Sequence, residues 1–78
     1  MWPTHLVVTP RKHVESLLAL APGDGPLLAE MIAVIQQVAD VVLSREGGCH
    51  VVTNLGGYQE SKHLHWHVYG GDGLPDRS

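Results

Sequence analysis

A chain of 78 residues, 44% hydrophobic and 17% charged, makes one domain at most and is too apolar for intrinsic disorder. At this size it buries only about 60% of the surface its unfolded form exposes, so its core is thin. Five Lys and Arg against eight Asp and Glu leave a net charge of −3, the wrong balance for general nucleic-acid binding. The single cysteine permits neither an internal disulfide framework nor a CxxC zinc site, and the expected compartment is the reducing cytoplasm.

Met1-Trp2-Pro3-Thr4-His5 has no positive region ahead of an apolar run, so no export signal is expected. Leu6-Val7-Val8-Thr9 is β-rich and closes at Pro10, which predicts a short strand. Arg11-Lys12-His13 reads as a polar turn, with His13 a surface residue. Val14 to Leu20 predicts a short helix stopped by Pro22 and Gly23. Asp24-Gly25-Pro26 predicts the start of the next helix, with an Asx-type cap and proline in the first turn. From Leu27 the apolar residues fall at 27, 28, 31, 32, 35, 38, 39, 42 and 43, one broad helical stripe. Glu30, Gln36, Gln37 and Asp40 interrupt it, so it is expected to be a core or dimer helix and not a membrane span. Gly47-Gly48 supplies the stop.

Cys49 to Thr53 predicts a second strand, Leu55 to Tyr58 a loop, and His63 to Tyr69 a third strand ended by Gly70-Gly71. The fold class is therefore α+β: an antiparallel sheet with one long and one short helix, expected to be completed by dimerisation. Residues 1–71 form the domain and 72–78 a flexible tail. Cys49 reads as a small buried hydrophobe, and Trp66 and Tyr69 as core or interface.

The most unusual feature is His63-x-His65-x-His67. On a strand, residues two apart face one side and sit roughly 6.5 Å from each other, so all three imidazoles would line one face. Three readings stand open from the residues alone. The first is a polar or stacked outer face. The second is a divalent-metal site with His5 completing the set. The third is nucleophilic catalysis by a neutral imidazole, which is already a free base at neutral pH. Asn54 alone is as easily a turn residue, and Gly56-Gly57 an ordinary loop.

Thr4-His5-Leu6-Val7-Val8-Thr9-Pro10-Arg11-Lys12-His13-Val14, then Val52-Thr53-Asn54, the Gly-Gly pair, Gln59, and His63-Leu64-His65-Trp66-His67-Val68-Tyr69-Gly70-Gly71 resemble the histidine triad (HIT) superfamily. The likeness is to its HINT-type branch and spans about residues 3 to 71. The triad pattern, His alternating with apolar residues and followed by two more, is matched at every position.

The resemblance implies a nucleotide-binding hydrolase acting at the α-phosphate of nucleoside phosphoramidates or related nucleotides. It implies His65 as the nucleophile of a covalent intermediate, with His67, His63 and His5 completing the catalytic set. Asn54, Gly57, Gln59 and His67 would contact the phosphate, His63 orienting its neighbours more than attacking. It implies no cofactor and no metal, a small-molecule nucleotide partner and a homodimer, with neither nucleic acid nor membrane as partner. The alternative reading is a dimeric nucleotide- or phosphate-binding module without turnover.

Three departures bear on substrate choice. Glu60 stands three before the triad, where a carboxylate would repel phosphate. Lys62 replaces a frequent aromatic, and the loop from Asn54 to His63 is short for the branch. The family domain ordinarily has more chain ahead of the Thr-His segment, supplying the base and ribose contacts. The expectation is therefore a catalytic half with reduced nucleoside affinity.

Overall fold

The computed structural model describes residues 4–59 and 61–71. It contains strand β1 (Thr4–Val8), helix α1 (Gly25–Glu46), strand β2 (His50–Thr53) and strand β3 (Trp66–Gly70). The sheet order is β1-β3-β2, with both neighbours antiparallel to β3. The last strand thus enters between the first two, and the first strand finds its partner at the far end of the chain: Thr4 pairs with Gly70 and Val8 with Trp66. The expected α+β architecture of one long helix on an antiparallel sheet is the one observed, and the predicted tail, residues 72–78, lies outside the described residues.

Helix α1 packs on one face of the sheet. Val42, Ile35, Val8 and Val68 form one buried cluster; Met31, Val14 and Leu64 form a second. Trp66 is half-buried and packs against both, so it joins the two halves of the core as predicted for a core aromatic. The core is thin: seven hydrophobic side chains are buried among the described residues, and Ile32, Val34, Val41 and Leu43 on α1 remain exposed. By length and composition, Pro22–Glu46 is long and apolar enough to cross a membrane, contrary to the expectation that its polar residues disqualify it. In this fold its Met31, Ile35 and Val42 are buried against the domain.

The ends of α1 follow local chemistry. Gly47 takes φ +81° and donates its N–H to the Leu43 carbonyl, the left-handed stop predicted for that glycine. Asp24 stands at the predicted N-cap, but its side chain does not cap the helix. One carboxylate oxygen accepts the Ala21 N–H at 3.0 Å and the other accepts from Lys12 at 2.8 Å, so the cap group serves the preceding turn.

Two elements differ from expectation. The short helix over Val14–Leu20 condenses to a 3-10 turn at Leu17–Ala19, followed by another at Pro22–Asp24. The Val14 carbonyl, which an α-helix would offer to Leu18, accepts the Leu64 N–H, while the Leu18 N–H goes to Ser16 Oγ. A single capped turn is left, too short to propagate before Pro22. The third strand begins at Trp66, not His63. Residues 64 and 65 are drawn off the ladder: the Leu64 N–H goes to Val14, and the His65 carbonyl accepts from Thr53 Oγ1 at 2.8 Å. The alternation survives, because Leu64 and Val68 are both fully buried.

Candidate active site

The face of the sheet away from α1 carries the histidines. Strand register sets His5 opposite Tyr69, Val7 opposite His67, and His50 opposite Tyr69 from the other side. His5 and His67 are diagonal neighbours on one face, within reach of ring side chains. His5 Nε2 lies 3.0 Å from His67 Nδ1. His5 meets Tyr69 edge-on at 5.7 Å between ring centroids, His50 stacks on Tyr69 at 5.1 Å, and His67 meets His65 at 5.0 Å in a T arrangement. The rings of His50, Tyr69, His5, His67 and His65 thus form a continuous row across the sheet.

His65 stands just before β3, and its backbone and ring are both fixed. Its Nδ1 lies 2.6 Å from the His63 carbonyl oxygen. A carbonyl only accepts, so Nδ1 carries the hydrogen and the lone pair of the neutral ring resides on Nε2. Thr53 Oγ1 holds the His65 carbonyl from β2. His65 shares a cleft of about 220 Å³ with His67, Asn54 and Tyr58. Asn54 reaches it from the residue after β2, and Tyr58 from a 3-10 turn at Gly56–Tyr58. No carboxylate is among these four lining residues. The cleft offers imidazole, amide and phenol groups, a donor set suited to an oxyanion.

The remaining residues singled out from sequence fall around this cleft. His5 is joined to it through His67. His63 contributes its carbonyl to His65 while its own ring turns aside and stacks on His13 at 5.1 Å, nearly parallel at 10°. The His63 ring is not among those lining the cleft. Its Nε2 lies 3.4 Å from Thr9 Oγ1, and its Nδ1 is buried with no hydrogen-bond partner. His13, expected as a surface residue, is exposed, and its ring stacks on that of His63. Gly57 is the middle of the turn that carries Tyr58. Gln59 points its amide elsewhere: Nε2 donates to the Glu15 carbonyl, tying the turn to the segment after β1. Glu60 lies outside the described residues.

Tyr58 was not among the residues marked from sequence. The available signal was an aromatic beside two glycines inside the loop between Asn54 and His63. Cys49 is half-buried, and burial pushes its thiol up against the lowering effect of a backbone hydrogen bond at Tyr69, in keeping with a packing role. Among the described residues, no group of three or more His, Cys, Asp or Glu side chains is placed to hold a metal ion.

The chain is similar to known proteins. The family model described as "HIT domain" matches residues 1–74. An uncharacterized HIT-like protein of Chlamydia trachomatis is 42% identical over 71 residues, covering 88% of this chain and 63% of the relative. Protein HitA of Neisseria gonorrhoeae is 36% identical over 69 residues, covering 87% of this chain and 64% of the relative. A crystal structure of a HIT family hydrolase from Legionella pneumophila Philadelphia 1 superposes with a TM-score of 0.79 at 32% identity, covering 91% of this chain and 65% of that one. The chain therefore spans less than two thirds of the length of the curated relatives it matches. With its triad signature and its fold both matched, the chain belongs to the HIT domain family.

Proposed function

We propose that the chain carries the phosphate-reacting site of a hydrolase that acts at the α-phosphate of nucleoside phosphoramidates or related nucleotides, through a covalent nucleotidyl-His65. The observation that carries this reading is the His65 Nδ1 contact with the His63 carbonyl, which leaves Nε2 as the nucleophilic nitrogen. That nitrogen attacks phosphorus and forms an N–P bond. The bond from phosphorus to the leaving nitrogen or oxygen breaks, and the electron pair departs with the leaving group, which takes up a proton. Water then attacks the phosphorus and gives up a proton, which replaces the one taken by the leaving group; the N–P bond breaks with its electron pair returning to Nε2, and the nucleoside monophosphate is released. Asn54 and His67 stand in the same cleft as donors to the phosphoryl oxygens. The name of the Legionella relative, a HIT family hydrolase, supports the class of reaction.

A second reading, a nucleotide- or phosphate-binding dimer without turnover, is favoured by one observation. The cleft of about 220 Å³ falls below the roughly 300–1,000 Å³ of ordinary ligand pockets. Under either reading we propose a cytoplasmic homodimer; the apolar side chains that α1 leaves exposed, beside an outer strand of the described sheet, support the dimer.

Intact mass spectrometry after incubation with an adenosine phosphoramidate separates the two. The hydrolase reading expects a nucleotidyl adduct that maps to His65, or turnover at least about 10³-fold above His65→Ala. Equal behaviour of the two proteins overturns it and leaves binding alone.

A further inference from the structure

Tyr58 is the most exposed of the large apolar side chains described, at 85%, yet it is one of four residues that line the histidine cleft. A phenol ring left in water at the mouth of a cleft has most of its apolar face still to bury. Its backbone is shaped for this position. Gly56 takes φ +61°, a conformation that side chains rarely adopt, and opens a turn closed by Tyr58 N–H to the Leu55 carbonyl and Gln59 N–H to the Gly56 carbonyl. The Gln59 side chain then anchors the turn to Glu15. An exposed aromatic on an anchored turn presents a stacking face at low cost in ordering, since Tyr has few side-chain torsions to freeze.

The geometry points to Tyr58 as a specificity-determining residue, whose ring stacks on a planar group bonded directly to the phosphorus held between His65, His67 and Asn54. Tyr58 walls the same cleft as His65, His67 and Asn54, so a group bonded directly to a phosphorus held by those three lies within its reach. In the hydrolysis proposed above, on which this inference rests, that substituent is the leaving group. The preferred substrates then carry an aryl or heteroaryl leaving group, and alkyl leaving groups gain nothing from the ring.

Calorimetric titration with phenyl phosphate, methyl phosphate and adenosine monophosphate tests the idea in the wild type, Tyr58→Ala, Tyr58→Leu and Tyr58→Phe. Leucine keeps an apolar contact without a π face, and phenylalanine keeps the face without the hydroxyl. The expected result is a loss of about fivefold in phenyl phosphate affinity for the Ala and Leu variants and none for Phe, the scale of one aromatic stack. Methyl phosphate and adenosine monophosphate should change less than about twofold. A loss on adenosine monophosphate with none on phenyl phosphate would move the ring to the nucleobase and overturn the proposal. Equal losses on all three probes, no loss on any, or no measurable binding to the wild type also overturn it. Binding here does not depend on turnover. Tyr58-dependent phenyl phosphate binding without a His65 adduct defeats the hydrolase reading alone, and a His65 adduct with Tyr58-independent binding defeats this inference alone.

Discussion

His5 Nε2 and His67 Nδ1 lie 3.0 Å apart across the β1–β3 ladder, so two imidazoles separated by 62 positions in sequence share one hydrogen. One nitrogen must donate and the other accept, which couples the tautomer of the cleft residue His67 to that of His5 outside it. When the proton sits on His5 Nε2, His67 presents N–H at Nε2; when it sits on His67 Nδ1, the roles reverse.

In the hydrolysis proposed above, this coupling would make His5 a positioning residue with a specific signature. His5→Phe keeps a ring to pack on Tyr69 but removes the nitrogen. The expected outcome is a fall of about tenfold in kcat with KM nearly constant and a displaced pH–rate profile, against about 100-fold for His67→Ala. If His5 only packs, the Phe variant retains wild-type kcat, which steady-state kinetics across pH will show.

Gly70 is buried where β3 passes under the end of α1. A methyl group there would overlap the Gly48 carbonyl oxygen and stand 3.0 Å from Val42 Cγ1. Neither neighbour can yield, since one is backbone and the other a fully buried side chain. Gly70→Ala should cost about 2–3 kcal/mol of stability, a large share of what a domain this small possesses. Urea denaturation would read it as a lower midpoint with an unchanged slope.

The Asp24 carboxyl is held below its ordinary value of 3.8, first by the hydrogen bond from Lys12 and then by the Ala21 N–H. A depressed folded value means that its stabilising contribution is present above the unfolded value and lost as pH falls through the folded one. Asp24→Asn should therefore lower the melting temperature slightly near neutral pH, with the difference fading as pH falls through and below the ordinary carboxyl range. Lys12 is 63% exposed, so most of the difference should also disappear in molar salt.

The exposed apolar residues imply an association that can be broken. A shallow hollow on the α1 side is lined by Gln36, Ala39, Asp40, Leu43, Cys49 and Val51, with Leu43 51% and Val51 43% exposed. We expect light scattering to show a dimer at micromolar concentration, and Leu43→Glu together with Val51→Glu to convert it to monomer with the fold retained. A wild-type monomer at that concentration would refute the dimer.

What the sequence determined by itself was local. The apolar stripe of α1 and its stop at Gly47 follow from helical period and from glycine's tolerance of positive φ. The alternation His63, His65, His67 marked the candidate segment, and its likeness to the HIT signature pointed to the family whose model matches the chain. The tertiary structure decided everything that needed a distant partner. The Val14 carbonyl accepting Leu64 turned a predicted helix into one 3-10 turn and shortened β3. It also set the His63 ring against His13, leaving its carbonyl to orient His65. Tyr58 lines the cleft from a turn that Gln59 ties to the Glu15 carbonyl. Period and propensity act between residues a few positions apart. A hydrogen-bond partner 44 or 62 residues away is chosen by the folded sheet, and no local pattern encodes it.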